Sequence, residues 1–263
     1  MNIANLELML LIPAFLVGVL ILITHVPLGM QVLQRGIIFI DLAIAQIAGL
    51  GVIVADLLGF EPQGIGVQVS AIIAALLGSV WLTYSEKRWP EVQEALIGVL
   101  FVMAATGGIL LLAHNPHGGE HLKNLLVGQI LWVSYGHLPV VAVITAVIAL
   151  LWFRFRSRLG RVGFYILFAG AVTTSVQLIG VYLVFASLII PAMATRNYPV
   201  RTRLIAAYLL GIVAYALGLL LSAWIDYPTG AVIVWMLVLV GVLFYYFGPT
   251  LNNENQAVHG AMQ

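Results

Sequence analysis

Cysteine is absent from these 263 residues, and charged side chains make up only 8% of them. The first absence excludes a disulfide framework, a thiolate metal site and a cysteine nucleophile. The second excludes an ordinary soluble domain, in which about a quarter of residues are charged. Lysine stands only at positions 87 and 123, neither after a glycine, so the phosphate-cradling loop of ATPases is missing and any ATP is used by another subunit. No Gly-x-Ser-x-Gly element signals a hydrolase. Eleven Lys and Arg against ten Asp and Glu leave a formal net charge of +1, too balanced for a nucleic-acid-binding surface.

What is present is apolar, at 62% of the chain. Only helices and closed barrels satisfy their own backbone in hydrocarbon, and the sequence lacks a barrel's alternation. Apolar stretches fall near 6–28, 37–59, 66–84, 93–113, 137–153, 163–179, 180–195, 204–224 and 229–247. Most approach the roughly twenty residues a spanning helix needs. The fold class is therefore all-α: a polytopic integral membrane helical bundle of about eight to nine transmembrane helices, a single domain over 1–263. Met1 to Leu8 carries no Lys or Arg, so the run from Leu8 to Met30 reads as a retained helix and not a cleaved signal.

Lys and Arg accumulate in cytoplasmic loops, which orients the bundle. With the N-terminus outside, Arg35, Lys87, Arg88, Arg154, Arg156, Arg158, Arg161, Arg196, Arg201 and Arg203 share one side, and only Lys123 lies opposite. That parity holds only if His121 to Ser134 does not span, so this stretch is placed outside or re-entrant. Gly163 to Thr195 is too long for one helix and has no charged divider, and Gly180 is the expected bend.

Polar groups inside the spans are functional suspects, because a charge at the centre costs about 2.5–3.5 kcal/mol on insertion scales. Asp41 lies about one turn into the second helix, with Gln46 beyond it and Asp56 near the outer end. Asp41 shares a face with Ala45. A purely structural reading pairs Asp41 with Arg35 and leaves Asp56 at headgroup level. Thr173, Thr174, Ser175 and Gln177 form a second polar patch, as either helix glue or the lining of an aqueous path. Outside, His114, His117, Glu120 and His121 fall within eight residues, a nitrogen and carboxylate set suited to zinc, manganese or iron. His25 and His137 are placed at helix ends.

Three stretches resemble the permease subunits of bacterial metal-ion ABC transporters, the zinc and manganese uptake family: Leu221 to Ala231 with its Ser222, Asp226 and Pro228-Thr229-Gly230; Gly180 to Arg196 with Ile190-Pro191-Ala192; and Arg35 to Gln46. The resemblance implies a homodimeric, multi-pass permease of the bacterial plasma (inner) membrane. Its implied partners are an ABC ATPase on the cytoplasmic side, an external metal-binding protein and the lipid bilayer. It implies no cofactor held by this chain, a transported divalent metal, zinc or manganese, and ATP on the partner. It also places Asp41 on the path, whereas the histidine that the family carries four residues later is Ala45 here, with Gln46 beside it. The segment holding Arg154, Arg156, Arg158 and Arg161 corresponds to the family's ATPase-docking region but is shorter. The expected function is ion import by alternating access, with no chemistry performed by this chain. Two alternatives stand beside it: a membrane-embedded metalloenzyme built on the histidine-rich outer loop, and a non-transporting scaffold subunit.

Overall fold

The computed structural model describes residues 3–61, 64–113, 115 and 118–249. Its helices are α1 (Ile3–Arg35), α2 (Ile40–Leu57), α3 (Ile65–Arg88), α4 (Gln93–Leu112), α5 (Gly118–Val127), α6 (Leu138–Ile179), α7 (Val181–Ala194), α8 (Val200–Ile225) and α9 (Thr229–Phe247). No strand occurs among the described residues. Eight helical stretches are long and apolar enough to span, because α6 contributes two, Leu138–Phe155 and Arg158–Ile179. The chain is thus an all-helical, multi-pass membrane bundle.

The ninth apolar stretch, α7, has 14 residues. At 1.5 Å per residue it covers about 21 Å, short of a hydrocarbon core of about 30 Å. The bend above it lies at Gly180, where φ is 79° and ψ is 162°, a conformation open essentially to glycine alone.

The segment expected as a loop from Arg154 to Arg161 is instead helical on both sides of a corner at Gly160 (φ 55°, ψ −156°). The two halves of α6 run antiparallel from that corner. The rings of Trp152 and Phe164 lie 6.1 Å apart, and Gly170 sits against Ile148. The second half of α6 buries 61% of its span, whereas the first half and α4 bury only 22% each. The second half, α1, α2 and α7 therefore form the centre, with the less buried helices around them.

Small residues allow the central helices to approach, as membrane interiors require where no hydrophobic gain drives association. Gly18 of α1 fits against the ring of Tyr215 in α8, and Gly29 against the Leu188 backbone of α7. The Tyr215 hydroxyl meets Ser187 Oγ at 2.8 Å, so the buried phenol is satisfied. His25, expected at a helix end, is fully buried in the body of α1, because that helix continues ten residues further to Arg35. Its Nδ1 meets the Ile21 carbonyl at 3.0 Å.

Both ends of the bundle can be identified from contacts. Glu86 Oε1 at the end of α3 lies 3.8 Å from Arg35 of α1 and 3.7 Å from Arg161 of α6, so three clusters assigned to the cytoplasm gather at one end. At the other end, Gly128 after α5, Gly180 and Gly230 of α9 meet backbone to backbone: a Cβ on Gly128 would collide with Ile179, and one on Gly230 would come within 2.6 Å of the Val127 carbonyl. The stretch after His121 forms no span. It holds the rest of α5 and a single 3₁₀ turn, Ile130–Trp132.

Candidate functional site

Helix α2 starts in an unusual setting. Gly36 (φ 69°) ends α1, three residues turn the chain, and α2 begins at Ile40 with no side-chain cap of its own. The missing cap comes from α4. Glu94 Oε1 accepts a hydrogen bond from the Phe39 N–H at 3.2 Å, and an anion there also suits the positive end of the helix dipole.

Asp41 follows in the first turn of α2 and is 1% exposed. Neither of its carboxylate oxygens has a side-chain or ionic partner among the described residues; only the backbone N–H groups of Asp41 and Leu42 in the same turn act on it. Arg35 does not neutralise Asp41, contrary to the structural pairing weighed from sequence. Its guanidinium is turned to Glu86 and lies 4.4 Å from the centre of the Phe164 ring. Stacking on that ring and the second acid hold it away from α2.

Towards the other end of α2, Ala45, Gln46 and Gly49 line a small pocket with Ala104, Ala105 and Gly108 of α4 and Val176 of α6. Its free space is room for about one water molecule. Leu122 and Leu125 of α5 and Val181 of α7 complete the wall. Ala45 and its neighbour Gln46 thus face the same space. Asp41 lies one turn before Ala45 on the same face.

The polar patch of α6 divides. Thr173, Val176 and Gln177 share a face, and Val176 is on the pocket. Thr173 is 1% exposed, and neither its hydroxyl nor the Gln177 amide nitrogen has a partner among the described residues. Thr174 instead bonds back to the Gly170 carbonyl at 2.9 Å, which makes it helix glue. Ser175 is buried. Asp56, near the end of α2, is half-buried and lies one turn beyond Ile53, the last α2 residue of the pocket wall.

His114 and His117 lie outside the described residues, as does the side chain of His121, and Glu120 is exposed on α5. Among the described residues, no group of three or more histidine or carboxylate side chains is placed to hold a metal. His137 stands just before α6, at a helix end as expected; its Nδ1 accepts from the Ser134 N–H at 3.2 Å in the preceding turn, and the helix has no side-chain cap. Arg154 and Arg158 are exposed at the α6 corner, and the Arg156 side chain lies outside the described set.

The residue that sequence reasoning missed is Glu94. It stands at the start of an apolar run, where an acid reads as an interfacial first-turn residue. Only the fold shows that it reaches another helix. The Ser222, Asp226 and Pro-Thr-Gly signature is also explained: Ser222 Oγ donates to the Tyr227 carbonyl at 2.7 Å and meets Thr229 Oγ1 at 2.6 Å, across a turn in which Asp226 is left-handed. Gly230 lets that turn press onto Val127. This motif builds the α8–α9 corner.

Against known proteins, a family model described as the ABC 3 transport family matches residues 7–162 and 156–248. The manganese transport system membrane protein of Halalkalibacterium halodurans is 26% identical over 84% of this chain and 82% of its own. The high-affinity zinc uptake system membrane protein of Haemophilus influenzae is 24% identical over 85% and 92%. A probable iron transport system membrane protein of the same organism is 26% identical over 72% of each chain. The solved structure of PsaBC from Streptococcus pneumoniae in complex with Fab has the same fold, with a TM-score of 0.73, 22% identity, and 92% and 91% of the two chains covered.

Proposed function

From the premise that this chain belongs to the ABC 3 transport family and is the membrane permease subunit of a metal-ion ABC transporter, we propose that it imports a divalent transition metal, zinc or manganese, into a bacterial cell by alternating access. It is a transport subunit and not an enzyme in itself. The plasma membrane is the site, two copies frame the path, and an external metal-binding protein delivers the ion. A cytoplasmic ATPase grips the α6 corner through Arg154, Arg156, Arg158 and Arg161. The histidine and Glu120 segment receives the ion outside, and Asp56, Gln46, Thr173, Thr174, Ser175 and Gln177 are candidates to line its course, with Thr174 the weakest because its hydroxyl is already bonded.

Asp41 carries this reading. A carboxylate buried in a span without a side-chain or ionic partner costs several kcal/mol unless a proton or cation neutralises it, and a passing divalent ion does so. The test is uptake of radioactive manganese and zinc into proteoliposomes holding this chain and its ATPase. Asp41→Asn keeps the side-chain volume and removes the charge. Uptake is expected to fall at least tenfold while the complex stays assembled, and an unchanged rate overturns the role of Asp41.

A further inference from the structure

We infer that Gln93 is a positioning residue: it locks the first turn of α4 to α3 and to the second half of α6, so that a displacement of the arginine corner reaches the start of α2, where Asp41 sits. The inference rests on the import reading above and adds the contact through which the motor acts on that helix. Gln93 is 4% exposed, and both ends of its amide are used. Ser85 Oγ of α3 donates to its Oε1 at 2.9 Å, and its Nε2 donates to the Leu82 carbonyl at 3.2 Å. The same nitrogen lies 3.5 Å from the hydroxyl of Tyr165, which is buried on α6 one turn beyond Arg161.

The next residue holds a different helix. Glu94 accepts from the Phe39 N–H, two residues before Asp41. Two consecutive side chains of α4 thus bind three other helices, and they join the end on which the arginines stand to the helix that carries the buried acid. The connection has little slack, because only Trp89 and one 3₁₀ turn, Pro90–Val92, separate α3 from α4. Of these contacts, the one to Tyr165 is adjustable. Those to Ser85 and Leu82 stay within the α3–α4 pair, whereas Tyr165 belongs to the helix that the corner moves. At 3.5 Å it stands at the outer limit of a hydrogen bond, so a small shift of α6 closes or breaks it. At so buried a site water does not replace a lost partner, which gives the made and the broken bond different energies.

Tyr165→Phe removes the hydroxyl and keeps the ring, which packs edge-on to Phe164 at 5.5 Å. Tyr215→Phe is the control, because it removes a hydroxyl equally buried but bonded to Ser187 between α7 and α8. This chain, its ATPase and the external metal-binding protein are reconstituted in proteoliposomes, and radioactive manganese taken up is counted per ATP hydrolysed. Tyr165→Phe and Gln93→Met are each expected to lower that ratio at least threefold with ATP hydrolysis retained. The double variant should fall no further than the lower single variant, and Tyr215→Phe should leave the ratio unchanged. Should Gln93→Met fail to assemble, Tyr165→Phe decides alone. An unchanged ratio in Tyr165→Phe, an equal fall in Tyr215→Phe, or losses that multiply in the double variant each overturn the role of Gln93 while the import reading stands. Absence of uptake by the wild type overturns both.

Discussion

Single glycines decide whether the outer junction closes. Gly128 and Gly180 both have positive φ, and a Cβ on either would enter the other's backbone. Gly128→Ala and Gly180→Ala are each expected to lose most of the folded protein in fluorescence-detected size exclusion. Gly49→Ala is expected to fold normally, because a Cβ there meets only Leu125 at 3.7 Å. Ser222→Ala strips Thr229 of its buried partner, and a loss of about 1–3 kcal/mol should appear as a lower unfolding temperature in detergent. The sequence makes Asp41 legible, since an acid within an apolar run announces itself. Glu94 was not legible, because its partner N–H is 55 positions away and nothing local marks it. The Ser222 motif was legible as a family mark, yet its purpose emerged only from the hydrogen bonds that span the turn.

At the scale of elements, the periodicity and length of the apolar runs located every spanning helix, with ends that shift by several residues. The runs mislead at two places. Val181–Ala194 is an apolar helix shorter than its neighbours, and the corner at Gly160 looks like a loop by charge but is helical almost throughout. Arginine next to glycine reads as a linker, whereas here the arginines end the first half of α6 and begin the second. This corner carries a topological prediction: Arg158→Cys should react with a membrane-impermeant maleimide only when the cytoplasmic face is opened. Reaction from outside would invert the proposed orientation. Glu86 ties α1, α3 and the second half of α6 together beside this corner. With Glu86→Gln, ATP hydrolysis by the reconstituted assembly is expected to continue while ion uptake per ATP falls several-fold. Unchanged stoichiometry would show that these contacts, each near the outer limit of an ion pair, serve only local packing.

For the molecule as a whole, the positive-inside pattern and the contacts agree. Three basic clusters that sequence places on one side, around Arg35, Lys87 and Arg161, adjoin in space through Glu86, and the segment bearing Lys123 packs at the opposite end near Gly180. The architecture and the gathering of the basic clusters at one end were therefore legible from composition and charge, while the reach of Glu94 to the Phe39 N–H depended on how α2 and α4 meet. The glycine junction at the outer end has a mechanical consequence. Backbone pressed on backbone leaves no soft layer to yield, so the second half of α6 has its fulcrum there. Its 22 residues make an arm of about 33 Å, on which one degree of tilt moves the arginine end by roughly half an ångström. If the ATPase docks at the corner as proposed, its pull would act on the full length of the lever, and the pocket beside Val176, close to the pivot, would feel only a small fraction of the stroke.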